Sequence, residues 1–264
     1  MKHITALFPI VMLALSFNLW ASGEIVGNVV MLKGQAQVIP YGTIEQKKLN
    51  MGDKISRGDS IQTKPQSIIK IEMIDATVLV FGPNSKFNLR EFVYTENKVR
   101  KGKIELVQGQ MRAKFSHVQK GENDVQIHTK SVSLGIRGTE VLVNHLAGKN
   151  GKFQTQASLL SGQAVLQDKL SKKLLELFPG SVFVADSGRS GQMIQNYIPK
   201  DKLERLDRGL KLPGFDPNAS EFALADSKDD KTDERSVQEL TEELFLSSEP
   251  IALPTKKKSS KSKK

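Results

Sequence analysis

Between Glu24 and Arg189 the apolar residues fall in short runs of Val, Ile and Leu, separated by Gly, Asp, Asn and Pro. Runs of this length and β-branched content, bounded by turn residues, predict strands rather than helices. IIKIEMI (Ile68 to Ile74) alternates, so Ile69, Ile71 and Met73 are expected on one face and Lys70 and Glu72 on the other, as in a half-buried strand. Asp75-Ala76 is the expected turn into TVLVFG (Thr77 to Gly82). The two Gly-Asp pairs of GDKISRGDSIQT (Gly52 to Thr63) predict successive turns around a very short strand. LFPGSVFVADSG (Leu177 to Gly188) predicts a Pro-Gly turn, a strand and a closing Asp-Ser-Gly turn.

Three stretches resemble one another: VVMLKGQAQV (Val29 to Val38), IELVQGQMRA (Ile104 to Ala113) and ASLLSGQAVL (Ala157 to Leu166). Each reads as strand, tight glycine bend, strand, with the glycine at 34, 109 or 162. The uneven spacing excludes a strict solenoid repeat. The expected fold for residues 24–190 is therefore all-β: stacked antiparallel β-hairpins, β-solenoid-like or sandwich-like.

After Gly191 the pattern changes. In IPKDKLERLDRGLKL (Ile198 to Leu212), Leu203, Leu206 and Leu210 recur at helical spacing, and Pro199 suits a first turn. Residues 191–215 are thus expected to hold an amphipathic helix that packs on or flanks the domain. Residues 216–264 are expected to hold a polar linker, a short helix at Ser236 to Leu246 whose Ser236 and Glu239 are spaced as a capping box, and a disordered Lys-rich tail.

The amino terminus, MKHITALFPIVMLALSFNLWASGE, has a basic start, an apolar stretch and the small residues Ala21, Ser22 and Gly23, the pattern of a secretory signal peptide over residues 1–23. Export to the periplasm or cell surface follows as an expectation, with no stable transmembrane span after cleavage. Net charge is +10, and the final nine residues, KKKSSKSKK, supply six of the lysines. Such a tail can associate with anionic envelope polymers by charge alone. A nucleic-acid partner is not expected, because the basic tail has no accompanying aromatic surface and the chain begins with an export signal.

No catalytic constellation emerges, and the chain is expected not to be an enzyme. There is no cysteine, which excludes disulfides, thiolate metal sites and a cysteine nucleophile. No HExxH, GxSxG, phosphate-loop or dinucleotide glycine pattern occurs. No cofactor or metal site is indicated, and His128 in VQIHTK is expected to face outward from a strand. Asp53 and Asp59, each after a glycine, read as turn residues capping backbone amides rather than as calcium ligands. The triplet Arg57-Gly58-Asp59 spells an integrin-binding sequence, but the turn accounts for it.

SLGIRGTEVLV (Ser133 to Val143) places Arg137 and Glu140 inside an apolar run, with Gly135 and Gly138 around the arginine. In a straight strand these two charges would point to opposite faces; a bend or bulge at a glycine would reset the alternation. The expected role of Arg137 is structural, satisfying backbone carbonyls or pairing with a carboxylate at a corner. The competing role is ligand binding. Arg137 and Glu140 are the only candidate binding residues that the motif supplies.

GNVVMLKGQAQV, GDKISRGDSIQT, FGPNSKFNLREF, KGKIELVQGQMRAKF and VQIHTKSVSLGIRGTEVLV, in this order, resemble the FecR domain of bacterial envelopes from about Ile25 to Val143, with weaker echoes to Gly188. One departure is Asp75-Ala76, where the family usually has Asp-Gly. The resemblance implies an all-β, non-enzymatic domain. In the best-known members it lies in the periplasm behind a membrane span and relays occupancy of an outer-membrane iron transporter to a cytoplasmic sigma factor. Only about three residues precede the apolar run here, so that regulatory segment is not expected. The expected function is an exported interaction module of the cell envelope whose partner is an envelope protein or glycan. The alternatives are a signalling component acting through a separate membrane protein, with Ser236 to Leu246 as docking element, and an envelope glycan-acting enzyme.

Overall fold

The structure is a computed structural model, and it describes residues 23–95, 99–116, 121–147, 152–186, 188–194 and 198. The described residues form fifteen strands and no helix: β1 (Ile25–Lys33), β2 (Ala36–Ile39), β3 (Lys47–Lys48), β4 (Lys54–Ser56), β5 (Ser60–Thr63), β6 (Ile68–Met73), β7 (Val78–Phe81), β8 (Lys86–Tyr94), β9 (Arg100–Lys114), β10 (Asn123–His128), β11 (Val132–Ala147), β12 (Phe153–Asp168), β13 (Leu174–Leu177), β14 (Val182–Asp186) and β15 (Gln192–Ile194). All belong to one hydrogen-bonded sheet. The two expected carboxy-terminal helices and the Lys-rich tail lie outside the described residues, as does the signal peptide apart from Gly23.

The sheet is folded over. The first part of β9 pairs with β8 and β10, whereas its last residues pair with β7 and β11. β11 and β12 change neighbours in the same way, and β1 and β2 lie on opposite sides of Gly34 with different partners. The first half contains β2, β3, β5, β8, β10, β13 and the adjoining parts of β9, β11 and β12. The second contains β1, β4, β6, β7, β14, β15 and the remaining parts of the long strands. The ends of β9 meet: Arg100 Nη2 donates to the backbone carbonyl of Ser116 at 3.0 Å. A straight strand would hold these residues about 50 Å apart, so β9 doubles back.

The bends occur at the repeated glycines. Gly34, Gly109 and Gly162 have φ of 81°, 107° and 82°. At Gly109 a Cβ would lie 2.4 Å from Ser85 Cα, and at Gly162 it would lie 2.4 Å from the Gly138 carbonyl oxygen. Neither backbone position leaves room for a side chain. The expected strand–bend–strand pattern is present, but these bends are corners within paired strands rather than hairpin turns. β9 and β10 are also parallel, so the fold is all-β with one open mixed sheet, which departs from the expected antiparallel stack.

One apolar core fills the space between the halves. Ile69, Ile71, Leu79, Phe81, Val141 and Val143 of the second half join Phe87, Leu89, Ile104, Val125, Leu134 and Leu166 of the first. Phe81 and Phe87 stack across the Gly82–Ser85 turn. A buried ionic clasp also joins the halves: Arg100 Nε lies 2.7 Å from Asp75 Oδ2. Asp75 further accepts hydrogen bonds from the Thr77 amide and hydroxyl at 2.9 and 2.7 Å, and its own carbonyl accepts from Ser116 Oγ at 2.6 Å. Ala76, at the turn where the family usually has glycine, takes φ of 63°.

The other expected turns form as read. Asp53 accepts from the Asn50 amide at 2.7 Å, and Asp59 accepts from the Tyr41 and Ser56 amides at 3.1 and 2.8 Å. Burial nevertheless pushes the Asp59 carboxyl above its usual range, against those two amide bonds. One face assignment is corrected. Lys70, expected to point to solvent, is 3% exposed, because the face that carries it is also covered.

Candidate functional site: a groove on the outer face

The core register fixes which side chains point outward from the first half. Ile104, Val125, Leu134 and Leu166 face the core, so Lys103, Gln126, Gly135 and Val165 face away. Pairing aligns these four with Glu176 in one row across β9, β10, β11, β12 and β13. Gly135 stands in the middle and contributes no side chain. A Cβ there would meet only the Val165 carbonyl oxygen, at 3.6 Å. The result is a groove of about 590 Å³, bordered by Gln126, Arg137, Gln163, Val165, Glu176 and Phe178. Val165 and Phe178 are 46% and 51% exposed, so apolar surface lies beside amide side chains and a cation.

The neighbouring outer surface is polar. Glu105 accepts from Asn88 Nδ2 at 2.9 Å and from Arg90 Nε at 2.8 Å. The Asn88 hydrogen bond, with help from Arg90, holds its carboxyl below the ordinary range despite partial burial. His128 faces outward and is half-buried, with Nδ1 2.8 Å from Ser133 Oγ. Burial, followed by the nearby Lys169 and Lys103 ammonium groups, lowers its pKa.

The motif residues Arg137 and Glu140 are not brought together. Arg137 pairs in register with Gln163, Glu140 pairs with Ser161, and the register shifts between them. Gly138 has φ of 62° at this irregularity. Arg137 ends on the outer surface of the first half, exposed at the groove rim, and forms no ion pair with a carboxylate among the described residues. Glu140 ends in the second half, 3% exposed. Arg112 Nε donates to Glu140 Oε1 at 2.7 Å, and Lys114 Nζ lies 3.6 Å from Oε2. The bend at the glycine forms as expected, but the corner arginine is Arg112. The expected structural role of Arg137 is corrected accordingly.

The sequence reading missed two buried polar groups. His145 is 2% exposed, with Nδ1 2.7 Å from Thr155 Oγ1 and its ring stacked on Phe153. Burial, then the Lys130 and Lys169 ammonium groups, depress its pKa to about 4. Burial likewise lowers Lys70 to about 8; the Glu72 carboxylate opposes that shift and the Arg112 guanidinium adds to it. Among the described residues, no group of three His, Asp or Glu is placed to hold a metal ion.

The family described as FecR protein matches residues 59–165. No curated protein matches the chain. Two crystal structures of a candidate anti-sigma factor from Parabacteroides distasonis ATCC 8503 share 11% and 12% identity with it, each covering 55% of this chain at a TM-score of 0.43. The chain spans 64% of the length of those structures. A cell surface anchoring domain shares 26% identity over 24% of this chain and 83% of its own, at a TM-score of 0.23. The matched segment runs from the Asp59 turn to Val165, taking in most of the groove, the Gly138–Gly162 corner and both motif residues, and over that segment the chain is similar to the FecR family.

Proposed function

We propose that this chain is a non-enzymatic, exported FecR-like interaction module of the bacterial envelope. The observation that carries the reading is the division within one motif. Glu140 is buried in an ion pair that builds the fold, while Arg137, three residues away, is displayed at the rim of an open groove. A structural arginine is normally engaged by carboxylates or carbonyls; a displayed one beside exposed Phe178 and Val165 suits recognition. The partner in this reading is a segment of an envelope protein that presents an acidic residue to Arg137. Export rests on the amino-terminal pattern, and the basic tail provides loose attachment to anionic polymers. Any signalling role in this reading runs through a separate membrane protein.

The second reading, an envelope glycan, is favoured by the amides of Gln126 and Gln163 beside an aromatic ring, a combination that binds sugars through hydrogen bonds and stacking. A photoreactive amino acid at Gln163 in the full chain, activated in intact cells, separates the readings. The protein reading expects a discrete protein adduct that Arg137→Glu abolishes. Adduct formation only with glycan would favour the second reading. Equal protein adducts with and without Arg137 would overturn the groove as the binding site.

A further inference from the structure

We propose that the sheet edge formed by β3 and its flanking turns docks on an anionic lipid surface, with Tyr41, Ile44 and Met51 entering the boundary between headgroups and acyl chains. The first observation is the exposure of these side chains. Ile44 is 98% exposed, Met51 69% and Tyr41 63%. Within residues 41–51 Leu49 alone is buried, and all the others are exposed. The segment matched to the FecR family begins later, at Asp59, so this surface is separate from the groove.

The second observation is that the backbone here is held in place. The Tyr41 amide donates to Asp59 Oδ1 at 3.1 Å. The Thr43 amide and hydroxyl donate to the Pro40 carbonyl at 3.1 and 3.0 Å. A Cβ at Gly58 would lie 2.4 Å from Tyr41 Cδ2, so the aromatic ring rests on bare backbone. On the other side of β3, the Asn50 amide donates to Asp53 Oδ2 at 2.7 Å and the Gly52 amide to the Val29 carbonyl at 2.8 Å. The apolar side chains are thus presented from fixed turns, and docking costs little backbone freedom.

The third is the setting. Among the described strands β3 pairs with β2 alone and so forms a sheet edge. Lysines on an edge strand guard it against pairing with another chain. That accounts for Lys47 and Lys48 but not for exposed Ile44 and Met51 at its two ends. A folded protein partner favours a continuous apolar patch, whereas here two lysines stand between the apolar positions. A lipid surface accepts this alternation: single apolar side chains insert, tyrosine sits at the headgroup level, and lysine stems snorkel to phosphate. Exposed Lys47, Lys48, Lys54 and Arg57 outnumber the carboxylates Glu24, Glu45 and Asp53, and the net charge of +10 adds attraction at longer range. β3 connects to β11 through β2, β5, β8, β9 and β10, about 28 Å along the sheet. A molecule docked by this edge keeps its groove open.

Because the chain has no cysteine, a single introduced thiol reports on its own surroundings. Ile44→Cys and Met51→Cys, each labelled in the full chain with a polarity-sensitive dye, should brighten severalfold when vesicles of phosphatidylglycerol and phosphatidylcholine are added. Leu174→Cys, at a 68% exposed position on the β13 edge, should not respond. That contrast separates docking through β3 from attachment by the amino terminus or the lysine tail alone. Lys47→Glu with Lys48→Glu should raise the lipid concentration for half-maximal response at position 44 by about tenfold. Equal brightening at positions 44 and 174, no brightening at 44 and 51, an equal response to phosphatidylcholine alone, or indifference to the two lysine changes would overturn the assignment.

Discussion

Replacing Asp75 with asparagine isolates the charge of the clasp that joins the two halves. The amide side chain keeps the shape and can still accept from the Thr77 amide, so the change removes mainly the carboxylate facing Arg100. Both native side chains are almost wholly buried, at 0% and 1% exposure, and water cannot compensate the guanidinium. Breaking a buried pair by removing one partner costs about 3–5 kcal/mol. For a domain of this size that corresponds to a drop of roughly 6–20 °C in Tm. Urea unfolding of Asp75→Asn, Arg100→Met and the double variant, followed by circular dichroism, gives the coupling directly. The double variant should be more stable than Asp75→Asn alone, because no buried cation remains. A loss below about 1 kcal/mol for Asp75→Asn, or strictly additive losses, would refute the clasp.

Other consequences can be measured in the same way. Ala76→Gly relieves a left-handed alanine and should raise stability by about 0.5–1 kcal/mol in the same unfolding assay. Gly162→Ala places a Cβ against the Gly138 carbonyl and should cost at least about 2 kcal/mol, whereas Gly135→Ala should change stability by less than about 1 kcal/mol. His145 is neutral in the fold down to about pH 4 but protonates near pH 6.5 when unfolded. The unfolded chain therefore binds the extra proton between these values, and stability falls as pH drops from about 6.5 towards 4, by up to roughly 3 kcal/mol. The difference between wild type and His145→Asn should shrink on acidification; a pH-independent difference would contradict this.

Local signals in the sequence located the strands, the Asp53 and Asp59 turns and the glycine bends, because each depends on residues close together along the chain. Glu140 also announced itself as anomalous. Its partner did not, since Arg112 lies 28 residues away and meets it only through the register of β9 and β11. Lys70 looked like a solvent-facing residue because alternation records polarity and is silent about what covers the second face of a sheet. The groove was illegible for a related reason. It depends on Gly135 aligning with Gln126 and Val165, a row assembled from three strands. The two glycines of GIRG look equivalent in sequence yet differ in role: Gly138 turns the corner and Gly135 keeps the groove open.

The central claim is that Arg137 serves binding while Glu140 serves folding. Its most direct test measures the melting temperature and partner capture of Arg137→Glu in the same preparation, using the adduct at Gln163 as the readout. The account predicts a Tm within about 2 °C of wild type, as for an exposed substitution, together with loss of the adduct. A Tm lowered by many degrees, or an unchanged Tm with full adduct formation, would contradict it.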